Sequence, residues 1–352
     1  MDALLARPLP GGAVLCLACA RYCRIGDGQA GYCGVRVNDS GKLRLTVHSR
    51  PCAVQIDPVE KKPMFHFLPG TRIFSIGTFG CNFACTFCQN WDISQAPHEA
   101  KEKDPKGWRA YFDNLVRSVE EWPPERVVAE ALRTGCRSIA FTYNEPTIFT
   151  EYALDIMELA REKGLKGVYV TNGYESKECW DALKGNIDAA NIDLKAYNNK
   201  FYTELCKAPG YEPVKRSIEY AKKLGIWVEV TTLFIPDWND LEPEMRGIAE
   251  FLRGVDPEMP WHVTAFHPDY KMLDKEPTPP ETLLKAREIG LMAGLKHVYC
   301  GNVPASYSEY ESTFCPKCGK ELVSRRVFSI TRNDIVKGKC RHCKATIKGV
   351  WD

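Results

Sequence analysis

The chain from about residue 72 to residue 305 alternates between short apolar strand patterns and amphipathic helix patterns. The strand patterns read SIAFTY, GVYVTNG, AANIDLKAY, WVEVTTLFIP and WHVTAFHP, and a helix pattern follows each of them. Strands that alternate with helices of this length form a parallel sheet through right-handed crossovers. No glycine-rich dinucleotide loop interrupts the series. We therefore predict an α/β fold, a partial (β/α)6 TIM-like barrel.

Polar sequences stand at the ends of the predicted strands. They read FGCNFAC, YNEP, TNG, DLK, IPDW and FHP in chain order. In barrels of parallel strands the chemistry lies at the carboxyl ends of the strands, because those ends meet at one rim. The sequence therefore predicts one polar, reactive rim.

The number of cysteines indicates metal chemistry. The chain has sixteen cysteines among 352 residues and a formal net charge of +2. We recognise neither a secretion signal at the start nor an apolar stretch long enough to span a membrane. Many thiols without a secretion signal favour metal ligands over disulfides, so we expect a reducing, cytoplasmic location.

Three of the cysteines lie close together in the motif CNFACTFC. Cys81, Cys85 and Cys88 directly follow the predicted strand RIFSIG. Three thiolates at this spacing suit three corners of a [4Fe–4S] cluster and leave its fourth iron open for chemistry. The alternatives are a zinc site or buried free cysteines.

A second group of cysteines lies near the C-terminus. It consists of two Cys-x2-Cys pairs about twenty residues apart, formed by Cys315, Cys318, Cys340 and Cys343. This spacing is typical of a zinc ribbon, which we place at residues 311–352. The segment carries ten Lys or Arg against four Asp or Glu. This excess of positive charge suggests either a nucleic-acid contact or, as we favour, a solvated structural module.

A third group lies near the N-terminus, in a segment rich in Gly, Pro and Cys. Its members are Cys16, Cys19, Cys23 and Cys33. Their spacing is less regular, so structural zinc, an auxiliary iron–sulfur cluster and reduced thiols all stay open, in that order of preference. We expect residues 1–70 to form a cysteine-rich metal-binding segment and residues 71–305 to form the barrel.

The motifs together resemble those of a known superfamily. CNFACTFC after a strand is similar to the cluster motif of the radical S-adenosylmethionine (SAM) superfamily. With YNEP, TNG and DLK at successive strand ends, the chain resembles the pyruvate formate-lyase activating enzyme branch. The sequence CLACARYCRIGDGQAGYCGVR is similar to that of the AmmeMemoRadiSam system radical SAM enzymes within that branch. The resemblance covers about residues 14–305.

The resemblance implies a reaction type. A [4Fe–4S] cluster on Cys81, Cys85 and Cys88 would cleave SAM reductively to a 5′-deoxyadenosyl radical, which abstracts hydrogen from a protein or small-molecule substrate. Such an oxidoreductase needs a single-electron donor such as ferredoxin or flavodoxin. The resemblance names neither the substrate nor a catalytic residue.

The resemblance also implies a SAM site on the polar rim. We expect Phe87 to contact the adenine and Lys195 to lie near the SAM carboxylate. The plainer interpretation is a core aromatic for Phe87 and a surface charge for Lys195. Further SAM-binding candidates at the strand ends are Asn144, Glu145, Thr171, Asn172, Asp193, Glu229, Thr231 and His267. For these the alternatives are turn, cap and solvated residues.

Three other functions stay open at this point. The first is activation of a glycyl-radical enzyme, and the second is modification of RNA. The third is a non-enzymatic metal-thiolate adaptor or electron-transfer protein. Nucleic acid is a less favoured partner than a protein or small molecule, and no membrane partner is expected.

Overall fold

The cysteine-rich N-terminal region packs against the rest of the molecule through short strands. In the computed structural model, which describes residues 1–352, these strands are β1 (Ala6–Pro8), β2 (Val14–Cys16), β3 (Arg24–Ile25), β4 (Arg36–Asp39) and β5 (Lys42–Leu45). β1, β2 and β3 form one antiparallel sheet and β4 and β5 form a hairpin. A buried ion pair between Arg36 and Glu151 ties this region to the barrel.

The centre of the molecule is one eight-stranded sheet. Its strands are β6 (Ala53–Pro58), β7 (Arg72–Gly77), β8 (Ser138–Phe141), β9 (Lys166–Thr171), β10 (Ala189–Asp193), β11 (Trp227–Phe234), β12 (Trp261–Ala265) and β13 (Val298–Gly301). They are hydrogen-bonded in sequence order. β6 pairs antiparallel with β7, and all later pairs are parallel. β6 belongs to residues 1–70 in sequence and to the central sheet in space.

Helices connect the parallel strands. They are α1 (Trp91–Ser94), α2 (Ala96–Lys103), α3 (Trp108–Ser118), α4 (Pro124–Arg133), α5 (Thr150–Glu162), α6 (Lys177–Leu183), α7 (Asn199–Phe201), α8 (Glu212–Lys223), α9 (Glu242–Val255) and α10 (Pro280–Ala293). Each strand from β7 to β12 is followed by a helix, which makes six β/α units closed by β13. The predicted α/β fold with six units is confirmed. None of the helices combines the length and apolar character that a membrane crossing needs.

The sheet has a helix-covered face and an inner face. Side chains alternate across a strand. On the outer face Phe74, Phe141 and Tyr169 join the main apolar core with the helices. On the inner face Ile73 and Ala140 pack against a plug formed by residues 59–68. The plug therefore fills part of the barrel interior.

The C-terminal region forms a small module with its own core. Its strands are β14 (Thr313–Phe314), β15 (Glu321–Arg326), β16 (Ser329–Asn333), β17 (Ile335–Val336) and β18 (Lys339–Cys340). Leu322, Val323 and Ile347 pack around its cysteines. Val350 pairs with the plug through backbone hydrogen bonds of 2.7 Å to residues 66 and 68. The module thus docks on the plug.

Candidate functional site

The loop that carries CNFACTFC leaves the carboxyl end of β7. Cys81 and Cys85 are buried and Cys88 is partly buried. The Phe83 N–H donates to Cys81 Sγ at 3.3 Å, and Ser94 Oγ lies 3.1 Å from Cys88 Sγ. Burial raises the pKa of the Cys81 thiol well above its ordinary value. Three sheltered sulfurs, two of them with a hydrogen-bond donor beside them, fit the ligands of an iron–sulfur cluster.

Gly80 allows this loop to pack as closely as it does. Its φ is +93°, a left-handed conformation that favours glycine. A Cβ atom here would lie 2.5 Å from the Cys33 carbonyl oxygen and 2.9 Å from Val35 Cγ1. The residue before Cys81 therefore has no room for a side chain, and the N-terminal region lies directly against the motif.

Two predicted SAM-binding asparagines hold the cysteine loop in place. Asn144, after β8, donates to Gly80 O at 2.8 Å and accepts the Thr78 N–H at 3.1 Å. Asn172, after β9, donates to Asn82 Oδ1 at 2.7 Å. Asn144 therefore fixes the backbone before Cys81, and Asn172 holds the side chain of the residue after it. Their predicted contacts with SAM stay predictions.

Glu145 and Thr171 belong to a buried hydrogen-bond network. Glu145 accepts backbone N–H groups from Thr147 at 3.0 Å and Asn172 at 2.7 Å. The Thr171 hydroxyl lies 2.8 Å from Glu145 Oε1 and 2.6 Å from Glu175 Oε1. One hydroxyl hydrogen cannot serve both carboxylates, so one of the two carries a proton of its own.

Glu175 is the carboxyl of this network that holds the proton. Burial, reinforced by the charge of Glu145, raises the pKa of Glu175 to about 8. Glu145 has more N–H donors, which favour its anionic form. Glu175 then donates to Thr171, and Thr171 donates to Glu145. The negative charge therefore lies on Glu145, at the rim.

Asp193 and Lys195 meet at the end of β10, where alternation predicted that they share a face. Lys195 Nζ lies 2.7 Å from Asp193 Oδ2. Burial opposes the charge of Lys195, yet Asp193 and the thiols of Cys85 and Cys206 together raise its pKa. Lys195 Nζ also lies 5.8 Å from the ring centre of Phe87. These groups place a fixed positive charge beside the cysteine loop.

Phe87 is buried in this structure. Its ring packs on Phe201 with 5.6 Å between the ring centres. Only 4% of Phe87 is exposed, so the contact with an adenine that the sequence suggests requires a side chain to move. The core-aromatic interpretation describes its present packing, and the adenine contact stays a prediction.

Glu229 lies away from the predicted SAM site. Its carboxylate accepts the backbone N–H groups of Phe65 and His66 at 2.9 and 2.8 Å. Trp227 Nε1 donates to it at 3.0 Å, and His262 Nε2 lies 2.7 Å from it. These partners belong to the plug and to the amino ends of β11 and β12. The structure thus corrects the expected position of Glu229 at the SAM site, because its carboxylate anchors the plug.

Two further predicted residues differ in their surroundings. Thr231, two residues beyond Glu229, donates to Asn191 Oδ1 at 2.8 Å and is buried. His267 is exposed, and its Nδ1 lies 3.4 Å from the carbonyl oxygen of Pro268. Neither side chain has a hydrogen bond to the cysteine loop in this structure. Both SAM contacts stay predictions.

The four C-terminal cysteines form a compact candidate metal site. The sulfurs of Cys315, Cys318, Cys340 and Cys343 all lie within 4.8 Å of one another. Cys315 Sγ is 3.6 Å from Cys343 Sγ, and Cys318 Sγ is 3.8 Å from Cys340 Sγ. A zinc–sulfur bond of about 2.3 Å in a tetrahedron implies sulfur–sulfur distances of about 3.8 Å. The set fits a single four-coordinate ion.

The N-terminal cysteines are close together without forming such a compact set. Cys16, Cys19 and Cys33 are buried, and Cys23 is partly buried. Burial raises the pKa of Cys19 well above its ordinary value, and the other three thiols reinforce the shift. Their four sulfurs do not all lie within 4.8 Å of one another, unlike those of the C-terminal group. These cysteines therefore lack the compact geometry of the C-terminal group.

Several residues that support the site were outside the sequence prediction. The Thr78 N–H donates to Asn144 Oδ1, and Asn82 Oδ1 accepts from Asn172. The Tyr202 hydroxyl accepts the N–H of Lys195 at 3.0 Å. Asn82 lies inside the cysteine motif, which was a usable signal. Tyr202 and Thr78 carry no motif, and only the fold brings them to the loop.

The chain is similar to known proteins over most of its length. A family model described as the radical SAM superfamily matches residues 75–251. The uncharacterized protein MJ0808 of Methanocaldococcus jannaschii is 42% identical over 345 residues, which cover 97% of each chain. The pyruvate formate-lyase-activating enzyme of Clostridium pasteurianum is 21% identical, over 56% of this chain and 81% of that enzyme. A solved radical SAM methyltransferase from Sphaerobacter thermophilus is 16% identical and covers 72% of this chain and 71% of its own, with a TM-score of 0.48.

Proposed function

The chain belongs to the radical SAM superfamily, and from this premise we propose that it is an oxidoreductase whose reactive site is the rim around Cys81, Cys85 and Cys88. The observation that carries the proposal is the loop geometry. Three sheltered thiols follow β7 and are held by Asn144 and Asn172 from the next two strands. In this family the thiols bind a [4Fe–4S] cluster. With SAM bound, that cluster supplies reductive cleavage to a 5′-deoxyadenosyl radical that abstracts hydrogen.

The residues of the chain would bind and orient SAM around the open iron. Lys195 offers a fixed positive charge that suits a carboxylate, and Asp193 keeps it in place. Glu145 offers a buried negative charge that suits an ammonium group. Phe87 offers an aromatic face for the adenine. Asn144 and Asn172 would act by keeping the cysteine loop rigid.

The remaining predicted SAM-binding residues are Thr171, Thr231 and His267. We propose that Thr171 orients Glu145 and that Thr231 and His267 line the outer part of the site. Glu229 is left out because the plug occupies its carboxylate. The plug and the buried loop would exclude water from one side of the site, which a radical reaction needs.

We propose a protein as the substrate. The support is the likeness to a pyruvate formate-lyase-activating enzyme, whose name describes an enzyme that acts on another enzyme. A glycyl-radical activating reaction is therefore the second candidate function. A single-electron donor such as ferredoxin or flavodoxin would reduce the site. We also propose a reducing cytoplasmic location, which suits the many thiolate ligands that the proposed metal sites need.

We propose zinc for the C-terminal cysteines. The sulfur–sulfur distances of 3.6 and 3.8 Å support a tetrahedral ion without an open position. Such a site stabilises its module and takes no part in the reaction. Residues 311–352 would then form a structural unit that braces the plug.

We propose a metal for the N-terminal cysteines as well. Three buried thiols and one partly buried thiol in one short segment, with Cys33 beside Gly80, support this proposal. Anaerobic metal analysis distinguishes structural zinc from an auxiliary iron–sulfur cluster at these cysteines. Structural zinc gives two zinc ions per chain in total, and an auxiliary cluster gives iron beyond the four atoms of the motif cluster.

The reaction is tested by anaerobic reconstitution with iron and sulfide, followed by dithionite and SAM. We expect 5′-deoxyadenosine, with cell extract supplied as a source of substrate. Cys85→Ala should abolish the product, because it removes a cluster ligand. Cys300→Ala removes a buried thiol on β13 and should leave it unchanged. A fully loaded wild-type protein that makes no 5′-deoxyadenosine would refute the proposal.

A further inference from the structure

We propose that Tyr143 is a positioning residue that links the plug to the cysteine loop. Its side chain is fixed inside the barrel by Asp57 and Lys62, and its backbone, held in a strained turn, fixes the loop that carries the three motif cysteines. The inference rests on the proposed function, since it takes this loop to hold the reactive site. It goes beyond that function by naming a rim residue that is neither a cysteine nor one of the SAM-binding candidates.

The backbone of Tyr143 has a conformation that a tyrosine rarely adopts. Its φ is +71°, in the left-handed region where a bulky side chain is strained. The Asn144 N–H donates to Thr142 O at 3.0 Å, so Tyr143 is the central residue of a three-residue γ-turn of the rare, strained kind. Such a conformation persists only where its surroundings hold it, and it is often found at functional sites.

The side chain of Tyr143 supplies this hold from inside the barrel. Its hydroxyl donates to Asp57 Oδ2 at 2.8 Å, and Lys62 Nζ lies 2.7 Å from the same oxygen. Lys61 Nζ lies 3.0 Å from the other carboxylate oxygen of Asp57. Lys62 Nζ also lies 4.3 Å from the centre of the Tyr143 ring, whose face attracts a cation. Asp57 and Lys62 are only 5% and 3% exposed, so water weakens these charged contacts little.

This anchor lies on the inner face of the sheet, beside the plug. Asp57 on β6 is paired with Ile73 on β7, and directly paired residues of antiparallel strands point to the same face. Ile73 packs against the plug, and Lys62 belongs to the plug itself. Gly77, at the end of β7, makes room for the tyrosine, because a Cβ atom on it would lie 3.1 Å from Tyr143 Cβ. The side chain therefore runs from the rim down to the plug.

The backbone of the turn holds the cysteine loop at both ends. Asn90, which follows the last motif cysteine by two residues, donates from Nδ2 to Tyr143 O at 2.9 Å. Asn144, the next residue in the turn, donates to Gly80 O, just before the first motif cysteine. Both contacts depend on the direction that the chain takes at Tyr143. The anchored turn thus fastens the loop on either side of its three thiols.

Loss of the anchor should loosen the cysteine loop. Without the tyrosine hydroxyl the strained turn can relax, and both of its contacts with the loop then weaken. Backbone amides of residues 78–90 should open more often and exchange hydrogen for deuterium about tenfold faster, the effect of losing one charged hydrogen bond. Glycine adopts a positive φ without strain. Tyr143→Gly should therefore exchange more slowly in this segment than Tyr143→Phe, although both variants lack the anchor.

The test compares Tyr143→Phe, Tyr143→Gly and Lys62→Met with the wild type after anaerobic reconstitution. Lys62→Met acts from the plug, because it removes the cation that fixes both Asp57 and the tyrosine ring. The matched control is Tyr220→Phe, which removes a 2.6 Å hydrogen bond from a tyrosine hydroxyl to an aspartate between α8 and α6. Mass spectrometry follows deuterium exchange of residues 78–90, with residues 280–301 as the reference segment. Iron content and the electron paramagnetic resonance signal, with and without SAM, are measured on the same samples.

We expect faster exchange of residues 78–90 in Tyr143→Phe and Lys62→Met. Tyr220→Phe should exchange like the wild type, and so should the reference segment in every variant. Iron content should stay full in Tyr143→Phe, while the change of its resonance signal on addition of SAM becomes smaller, because a looser loop positions the cluster less well.

Three results would overturn the inference. Wild-type exchange of residues 78–90 in Tyr143→Phe would show that the anchor does not hold the loop. Equal exchange in Tyr143→Gly and Tyr143→Phe would show that the anchor does not act through the strained turn. Faster exchange in the reference segment as well would make Tyr143 a determinant of the whole fold. Failure of the proposed function looks different, because then the wild type shows no signal that responds to SAM, while deuterium exchange still reports on the loop.

Discussion

The two best-defined cysteine groups of this chain differ in how they are held. The C-terminal sulfurs lie within 4.8 Å of one another on two short turns of one small module. The motif cysteines lie on one loop that Asn144 and Asn172 hold from two other strands. The first group is closed on itself and suits a structural ion. The second depends on the whole barrel and leaves a side open, as a reactive site must.

The surroundings of the two groups differ as well. The C-terminal module packs around its own few apolar residues and then docks on the plug. The motif loop is part of the main core, and the Glu145 carboxylate and the Asp193–Lys195 ion pair lie at the ends of neighbouring strands. Charge close to the motif can act on bound SAM.

The largest expected effect separates the metals of the two groups. Cys315→Ala should lose the zinc and keep the motif iron, because the two sites share no ligand. Cys85→Ala should lose the motif iron and keep the C-terminal zinc. Metal content of each purified variant checks this. Loss of both metals from either variant would show that the two regions fold as one metal-dependent unit.

The next effect concerns the pH dependence near the motif. Because the pKa of Glu175 is raised to about 8 from 4.5, the folded chain keeps a proton that the unfolded chain loses between these values. The stability that this proton gives is fully present below pH 4.5 and is lost as the pH rises through about 8. The free energy of unfolding should therefore fall by up to about 1.4 kcal/mol per pH unit in that range.

Glu175→Gln should remove this slope, since an amide cannot titrate. Anaerobic urea unfolding between pH 5 and pH 8 measures it. Glu219→Gln, at an exposed glutamate of α8, is the matched control and should keep the wild-type slope. If the free energy of unfolding had the same pH slope in all three proteins, Glu175 would not be the carboxyl that holds the proton.

A smaller effect concerns the docking of the C-terminal module. Arg325 is buried and donates to Phe65 O at 2.7 Å and to Thr313 Oγ1 at 2.7 Å. Arg325→Ala leaves these acceptors unpaired and should lower the free energy of unfolding by about 2 kcal/mol. Arg326→Ala, at the exposed neighbour, should change it by less than about 0.5 kcal/mol. Denaturant unfolding measures both, and equal values would mean that the module does not brace the plug.

Much of the architecture was predictable because it follows local patterns. The alternation of strands and helices led to the correct fold class and to six β/α units. The face shared by Asp193 and Lys195 followed from the alternation of side chains along β10. The Cys-x2-Cys pairs predicted a compact four-thiol group, and their sulfurs lie close together.

The errors and omissions concern contacts between distant segments. Glu229 was expected at the rim because strand periodicity gives the face of a side chain and not its depth in the barrel. Its partners Phe65 and His66 lie more than 160 positions away in the sequence. The plug that contains them has no strand or helix pattern. No local signal showed that it enters the barrel.

The sequence by itself determined the fold class, the three groups of cysteines and the superfamily, because these depend on periodicity and short spacings. The tertiary structure alone decided which groups lie beside each sulfur. It brought the backbone of Cys206 against the cysteine loop, joined Thr171 to two carboxyls and turned Glu229 toward the plug. The physical reason is that a hydrogen bond depends on distance in space, and the crossovers of the barrel bring residues together that are far apart in the chain.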